Sequence, residues 1–175
     1  MHTFDFLAEH GALVLFWVIF VEQIGFPLPA LPLLVAAGAL VATGNMSLAT
    51  ALLVPIAASL PPDLAWYYLG RQKGGKVLGF LCRLSLEPDS CVRDTENVFH
   101  RNGPRALLLA KFVPGFSTVA PPLAGIVGMP ATTFILYDLG GTLIWAAVSA
   151  GVGALFSNQL EQLIGLFDQA GGLML

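Results

Sequence analysis

Few side chains in this sequence can do chemistry, and the ones that can sit in apolar surroundings. Glu22, Asp63, Lys111 and Asp138 all lie within or at the ends of hydrophobic runs. A charge at membrane depth costs about 3 kcal/mol or more and by default marks a substrate or ion pathway. Ser117 and Thr118 follow Lys111 closely and offer hydroxyl donors. A cation with hydroxyls suits binding of an anion, and buried acids suit carrying a proton. Each residue also has a plainer reading. Glu22 can meet water at the interface, and Asp63, just after Pro61 and Pro62, can cap the next helical piece. Lys111 can snorkel to the surface, and Asp138 can serve as its ion-pair partner. Arg71 and Arg105 read as topology determinants that also reach lipid headgroups. His2, His10 and His100 lie outside the apolar core and read as solvated.

Catalysis finds little support. There is no GxSxG elbow and no HExxH helix. A lipid-phosphatase K-x6-R-P pattern starting at Lys111 needs Arg where Thr118 stands. No His falls inside the broken segments. The expectation is a non-enzyme with no cofactor, no metal and no nucleic-acid partner. Cys82 and Cys91 are not spaced as CxxC and read as free thiols in a reducing compartment.

Two broken segments must position these residues. Lys111–Met129 is apolar but interrupted by Pro114 and Gly115, then by Pro121 and Pro122. Glu22–Leu40 carries Gly25, Pro27, Pro29 and Pro32. An interior proline removes a backbone donor and clashes with the preceding turn, at about 3 kcal/mol or more. In lipid the freed carbonyls must find partners in protein or in a polar cavity. Breaks at corresponding places in two halves point to a transporter binding site. The first segment either re-enters or crosses with a kink, which leaves the side of the N-terminus open.

Composition sets the frame. Of 175 residues, 56% are hydrophobic and 11% charged, with a net charge of -3; soluble domains carry about 25% charged residues. All eight Lys and Arg residues lie between Arg71 and Lys111, which makes the central loop cytoplasmic. The fold class is an all-α integral membrane protein: two broken or re-entrant helical hairpins, each followed by a transmembrane helix, in a pseudo-inverted repeat. One membrane domain, 1–175, divides into a first half at 11–70, a basic loop at 71–105, a second half at 106–157 and an amphipathic tail at 158–175.

Locally, Met1–His10 lacks the basic region of a leader and reads as an interfacial helix. Gly11–Val21 is apolar, Leu33–Thr43 resumes helix after the prolines, and Ser47 caps a span reaching Leu69. Trp66, Tyr67 and Tyr68 read as an aromatic belt. Short surface helices are expected at Lys76–Leu84 and Ser90–His100. Ala131–Phe156 is the clearest span, with Gly140, Gly141, Gly151 and Gly153 as close-packing positions. The apolar end at Leu175 suggests a truncated product.

In order along the chain, EQIGFPLP, AAGAL, DLAWYYLGRQKGGKVL and FHRNGPRALLLAKFVPGFSTVAPPLAG, with the glycines and Trp145 of the last span, resemble the DedA family of bacterial membrane proteins, also called VTT or SNARE-associated. The resemblance covers about residues 11–156. It implies two opposed re-entrant hairpins in the bacterial inner membrane. The implied activity is transport or flipping of an anionic lipid such as undecaprenyl phosphate, linked to the proton-motive force. Two departures stand out. Ala30-Leu31-Pro32-Leu33 lacks the acid that many members carry there, and Lys111 and Ser117 replace two arginines of the family's second hairpin. A subgroup with a following rhodanese-like domain suggests the alternative of a small-anion or sulfur-species transporter working with a sulfurtransferase. A non-transporting role in membrane homeostasis is the other alternative. The expected partners are the lipid bilayer and the anion itself, with room for a homo-oligomer.

Overall fold

The computed structural model describes residues 2–26, 28–83, 97, 101–113 and 116–157. Among them there is helix and turn but no strand. The helices are α1 (His2–Ile24), α2 (Ala30–Ala42), α3 (Leu48–Lys73), α4 (Gly75–Arg83), α5 (Ala106–Ala110), α6 (Phe116–Ile126) and α7 (Ala131–Leu155), with a 3₁₀ turn at Gly103–Arg105 before α5. The expected helix over Ser90–His100, the tail helix, Pro27, Pro114, Gly115 and Cys91 lie outside the described residues, as do the side chains of His2, Phe4, Phe6, Leu7 and Cys82.

α3 and α7 are long and apolar enough to cross a membrane. At 1.5 Å per residue they reach about 39 and 38 Å, against a hydrocarbon core of about 30 Å. α2 and α6 reach only about 20 and 16 Å. Each half thus contains one short helix followed by one long helix. The two short helices end alike. Asn45 N–H donates to the Leu40 carbonyl at 2.8 Å, and Met129 N–H to the Ala124 carbonyl at 3.1 Å. Both closures pass through a glycine with positive φ, Gly44 at 77° and Gly128 at 73°, the left-handed position that terminates helices of this type.

Packing is reciprocal. α2 lies against α7, and α6 lies against α3. Small residues make both contacts possible. A side chain on Gly38 would collide with the Ala150 backbone, and one on Gly153 with the Val35 carbonyl. One on Gly70 would collide with the Pro122 carbonyl, and one on Gly125 with the Tyr67 carbonyl. The expected close-packing role also holds for Gly140 and Gly141, which face Leu108 and Leu107 of α5, whereas Gly151 meets open space. One buried cluster gathers Tyr67, Leu107, Val119, Leu123 and Phe134, with the Tyr67 and Phe134 rings stacked 4.6 Å apart. A second gathers Leu15, Ile19, Leu34, Ala58 and Trp145, with Phe112 packed against it.

Four local expectations change. α1 is continuous from His2, with no separate interfacial helix; Gly11 costs a helix only about 1 kcal/mol relative to Ala, and it packs against Met46 and Leu40. Pro32 does not delay α2, which starts at Ala30; in the first turn no intrahelical donor is needed. Pro121 and Pro122 do not break α6, whereas the span expected from Ser47 does run on through Pro55, Pro61 and Pro62 as α3. Val119 to Gly125 are buried, so packing of the run offsets the lost backbone bonds. Tyr67 is not part of a surface belt. It is fully buried and donates to the Met129 carbonyl at 2.5 Å. Ser47 caps α3 as expected, accepting from the Thr50 amide at 3.0 Å.

Gly153→Ala should therefore lower the stability of the detergent-solubilised protein by about 1–3 kcal/mol, because backbone rather than a flexible side chain stands in the way. Gly151→Ala on the same helix should be neutral or slightly stabilising. Equal melting temperatures for the two variants would contradict the close α2–α7 packing.

Candidate functional site

Lys111 is the residue immediately after α5, where the chain leaves helix. Its side chain turns inward rather than snorkelling to the surface, and the residue is 8% exposed. The ammonium is in hydrogen-bonded ion pairing with Asp63 Oδ2. It also donates to Gln23 Oε1 at 3.3 Å, and Asp138 Oδ1 lies 3.7 Å away. Four separate parts of the chain thus converge: the end of α1, the interior of α3, the break after α5 and the second turn of α7.

Each partner is set by its own helix. Asp63 lies in the interior of α3 and is fully buried, so it is not the helix cap that its position after two prolines suggested. Asp138 is 2% exposed. The turn that carries it is fastened from behind: Thr142 Oγ1 donates to the Asp138 backbone carbonyl at 2.9 Å and lies 3.4 Å from Ser59 Oγ of α3. Gln23 is 1% exposed, and its backbone carbonyl accepts from Trp66 Nε1 at 3.1 Å. Trp66 and Gln23 thereby tie α1 to α3 beside the ion pair.

The electrostatics are unbalanced. Two buried carboxylates face one ammonium. Asp63 Oδ1 and Asp138 Oδ2 are buried without a hydrogen-bond partner among the described residues. Removing an ion from water costs several kcal/mol, repaid only where geometry and extra hydrogen bonds are good. Lys111 has three donor hydrogens and three acceptors around it. Two of them are hydrogen-bonded and the Asp138 contact is an ion pair at longer range, so the cluster encloses its cation and leaves acceptor oxygens over.

Other expected site residues are placed around this cluster. Glu22 is half-buried next to the Ala30 amide that opens α2, and Lys111 is within its electrostatic reach. Gly25, with φ 124°, makes the break after α1, and Pro29 precedes the first residue of α2. Ser117 and Thr118 are half-buried in the first turn of α6. Arg71 is outside the cluster: its guanidinium donates to the Tyr67 hydroxyl at 2.7 Å and to the Met129 carbonyl at 3.3 Å, bracing the turn before α7. Arg105 is exposed at the entry to α5. His10 is half-buried on α1 rather than solvated. Sequence reading missed Gln23, Ser59 and Thr142. A neutral amide next to Glu22 in an apolar run was the available signal for Gln23.

A bundle of apolar helices, two of membrane-spanning length, fits an integral membrane protein, and the similar proteins named below are membrane proteins. The chain belongs to the VTT-domain family, the DedA family, whose domain matches residues 28–155. It is 30% identical over 158 residues to an uncharacterized membrane protein of Synechocystis sp., covering 89% of this chain and 72% of that one. It is 35% identical over 150 residues to the inner membrane protein YghB of Escherichia coli, covering 82% and 67%. Protein DedA of Escherichia coli is 29% identical over 166 residues, covering 90% and 75%. No solved structure matches the chain.

If Lys111 neutralises buried carboxylates, Lys111→Gln should destabilise the fold by about 3–5 kcal/mol. Adding Asp63→Asn should recover part of that loss, giving a coupling energy of about 1–3 kcal/mol in a double-mutant cycle. Unfolding in mixed micelles measures it, and strictly additive losses would contradict the pairing.

Proposed function

We propose that the protein is a membrane transporter or flippase that moves an anionic lipid headgroup, such as that of undecaprenyl phosphate, with coupled proton movement. The observation that carries this reading is the sealed cluster of Lys111, Asp63, Asp138 and Gln23. Unbalanced charge is costly to keep in an apolar core, and a structural anchor has no use for it. The cluster also lies where both chain breaks converge. Gln23 and Glu22 precede the first break, and Lys111 opens the second.

The finer architecture supports the same reading. We read α1–α2 and α5–α6 as hairpins that enter from opposite faces. α2 and α6 are each too short to cross about 30 Å of hydrocarbon. Gly11 lies against Met46 and Leu40, which brings the start of the first hairpin to its end, beside the last turns of α7 near Ala150 and Gly153. The second hairpin ends at Met129, held by Tyr67 and Arg71 at the opposite, basic end of α3. Exchange of partners between the halves, with α2 on α7 and α6 on α3, is what a pseudo-inverted repeat requires. We read that end as cytoplasmic, because Arg71, Lys73 and Arg105 are basic residues of the kind that flank spans on that side.

A transport site differs from a catalytic one in what surrounds the charge. The buried Ser59 and Thr142 hydroxyls lie against each other rather than against a histidine or carboxylate side chain, and His10 is near the start of α1. We therefore read the protein as a non-enzyme. The lipid tail stays in the bilayer, while the headgroup enters at the hairpin breaks near Glu22, Ser117 and Thr118. Small oxyanions share this chemistry. Cys82, the residue a sulfur-handling role would draw on, lies on α4, which packs on α3 and α6.

Reconstituted vesicles test the proposal. Wild-type protein should move undecaprenyl phosphate between leaflets faster when a proton gradient is imposed, and Glu22→Gln should weaken that response while folding normally. In the same vesicles, cysteines introduced at Asn45 and Val127, after replacement of the native thiols, should react with an impermeant reagent from opposite sides. Absence of flux for both the lipid and inorganic phosphate would reject transport, and labelling from one side would reject the opposed hairpins.

A further inference from the structure

The Lys111 ammonium is enclosed by acceptors, its side chain only 2% exposed. Two of its three hydrogens are hydrogen-bonded, to Asp63 Oδ2 and Gln23 Oε1, and Asp138 Oδ1 forms an ion pair with it at 3.7 Å, beyond hydrogen-bond distance. An anion that joins these acceptors adds a negative charge to the cluster, and one that takes the place of an acceptor must leave that charge compensated. Gln23 is neutral, so its displacement would add an anion to a core that already holds surplus negative charge. Displacing a carboxylate adds the same charge unless that carboxylate takes up a proton. Asp63 and Asp138 each keep one buried oxygen without a partner, Oδ1 and Oδ2 respectively, and these are the atoms on which a proton can sit without breaking a bond.

The charges facing Lys111 come from few elements. α3 supplies Asp63, α7 supplies Asp138, and α1 supplies Glu22 at longer range beside the Ala30 amide. α2, α5 and α6 carry no ionisable side chain. The Tyr67 hydroxyl is committed to Met129 and Arg71. The two aspartates are therefore the groups that can compensate an arriving anion at the ammonium itself.

We propose that Lys111, Asp63 and Asp138 form an exchange site for the oxyanion of a phosphate ester, in which a proton taken up by the aspartate pair releases Asp63 from Lys111 and the oxyanion replaces it. This deepens the transport reading and rests on it. The proton goes to an aspartate oxygen, the Asp63 carboxyl swings away neutral, and an ester oxygen accepts from the Lys111 ammonium. The total charge of the core is the same before and after for a singly charged ester. Gln23 acts as a positioning residue that keeps the ammonium in place during the exchange. By linkage, the same coupling that makes protonation favour anion binding makes anion binding favour protonation.

Two phosphodiesters that do not titrate near neutral pH serve as probes: dimethyl phosphate in solution and phosphatidylglycerol in phosphatidylcholine nanodiscs. Wild-type protein is mixed with each in weakly buffered solution containing a pH indicator. The exchange predicts uptake of about one proton per phosphodiester bound, and binding that weakens as pH rises. Uptake with both probes identifies a site open to free anions, and uptake with phosphatidylglycerol alone identifies a headgroup site; either supports the exchange. Asp63→Asn should bind with less proton uptake and a flatter pH profile. Should that variant misfold, Asp138→Asn provides the same comparison, and the wild-type stoichiometry needs no variant. Gln23→Leu should weaken binding with the proton count unchanged. Binding or flux with no proton uptake overturns the exchange and leaves transport standing, whereas absence of binding by either probe together with absence of flux overturns both.

Discussion

The ion pair between Lys111 and Asp63 is the contact on which the rest of the arrangement depends. It joins the break of the second half to the long helix of the first. Asp138 and Gln23 extend it to α7 and α1. Without Lys111 the core would hold buried carboxylates with no counter-charge, a condition that costs about 3–5 kcal/mol when one partner is removed. Hydrophobic association contributes little between helices in lipid, so polar contacts and close packing must supply the specificity of this core.

Close packing is the second constraint, and it works with the first. Gly38 and Gly153 let α2 approach α7, and Gly70 and Gly125 let α6 approach α3. These contacts hold each short helix on the long helix of the other half. Residues next to the chain breaks are then brought together inside the protein, where Gln23 and Lys111 meet Asp63 and Asp138, while Phe26, Leu28 and Val113 of the breaks stay exposed. Ser59 and Thr142 meet where α3 and α7 cross, which fixes the spacing of the two aspartates.

Much of this was legible in the sequence, for physical reasons. Positive charge restricted to residues between Arg71 and Lys111 and long apolar runs elsewhere leave little choice but a membrane, and the VTT-domain match agrees. The Lys111–Asp138 proximity was readable as one of several pairings. The Lys111–Asp63 pair was not, because residues 48 positions apart in sequence are brought together by helix packing, which no local pattern encodes. Local propensity also misled at Pro32, Pro121 and Pro122. Proline penalties are averages over exposed helix interiors, whereas Pro32 needs no donor in a first turn and Pro121 and Pro122 gain from burial. Tyr67 looked interfacial because aromatic residues near a basic end usually are, yet its hydroxyl had a backbone carbonyl to meet inside.

In the proposed transport, the headgroup is recognised by a cation that the protein itself neutralises. The most direct measurement is headgroup flux in proteoliposomes containing the double variant Lys111→Gln/Asp63→Asn. This variant removes one charge of each sign, so the core loses its central ion pair without gaining net charge and the fold is expected to survive. The account predicts a folded protein whose flux falls to the level of empty vesicles. A folded double variant with near-wild-type flux would contradict it.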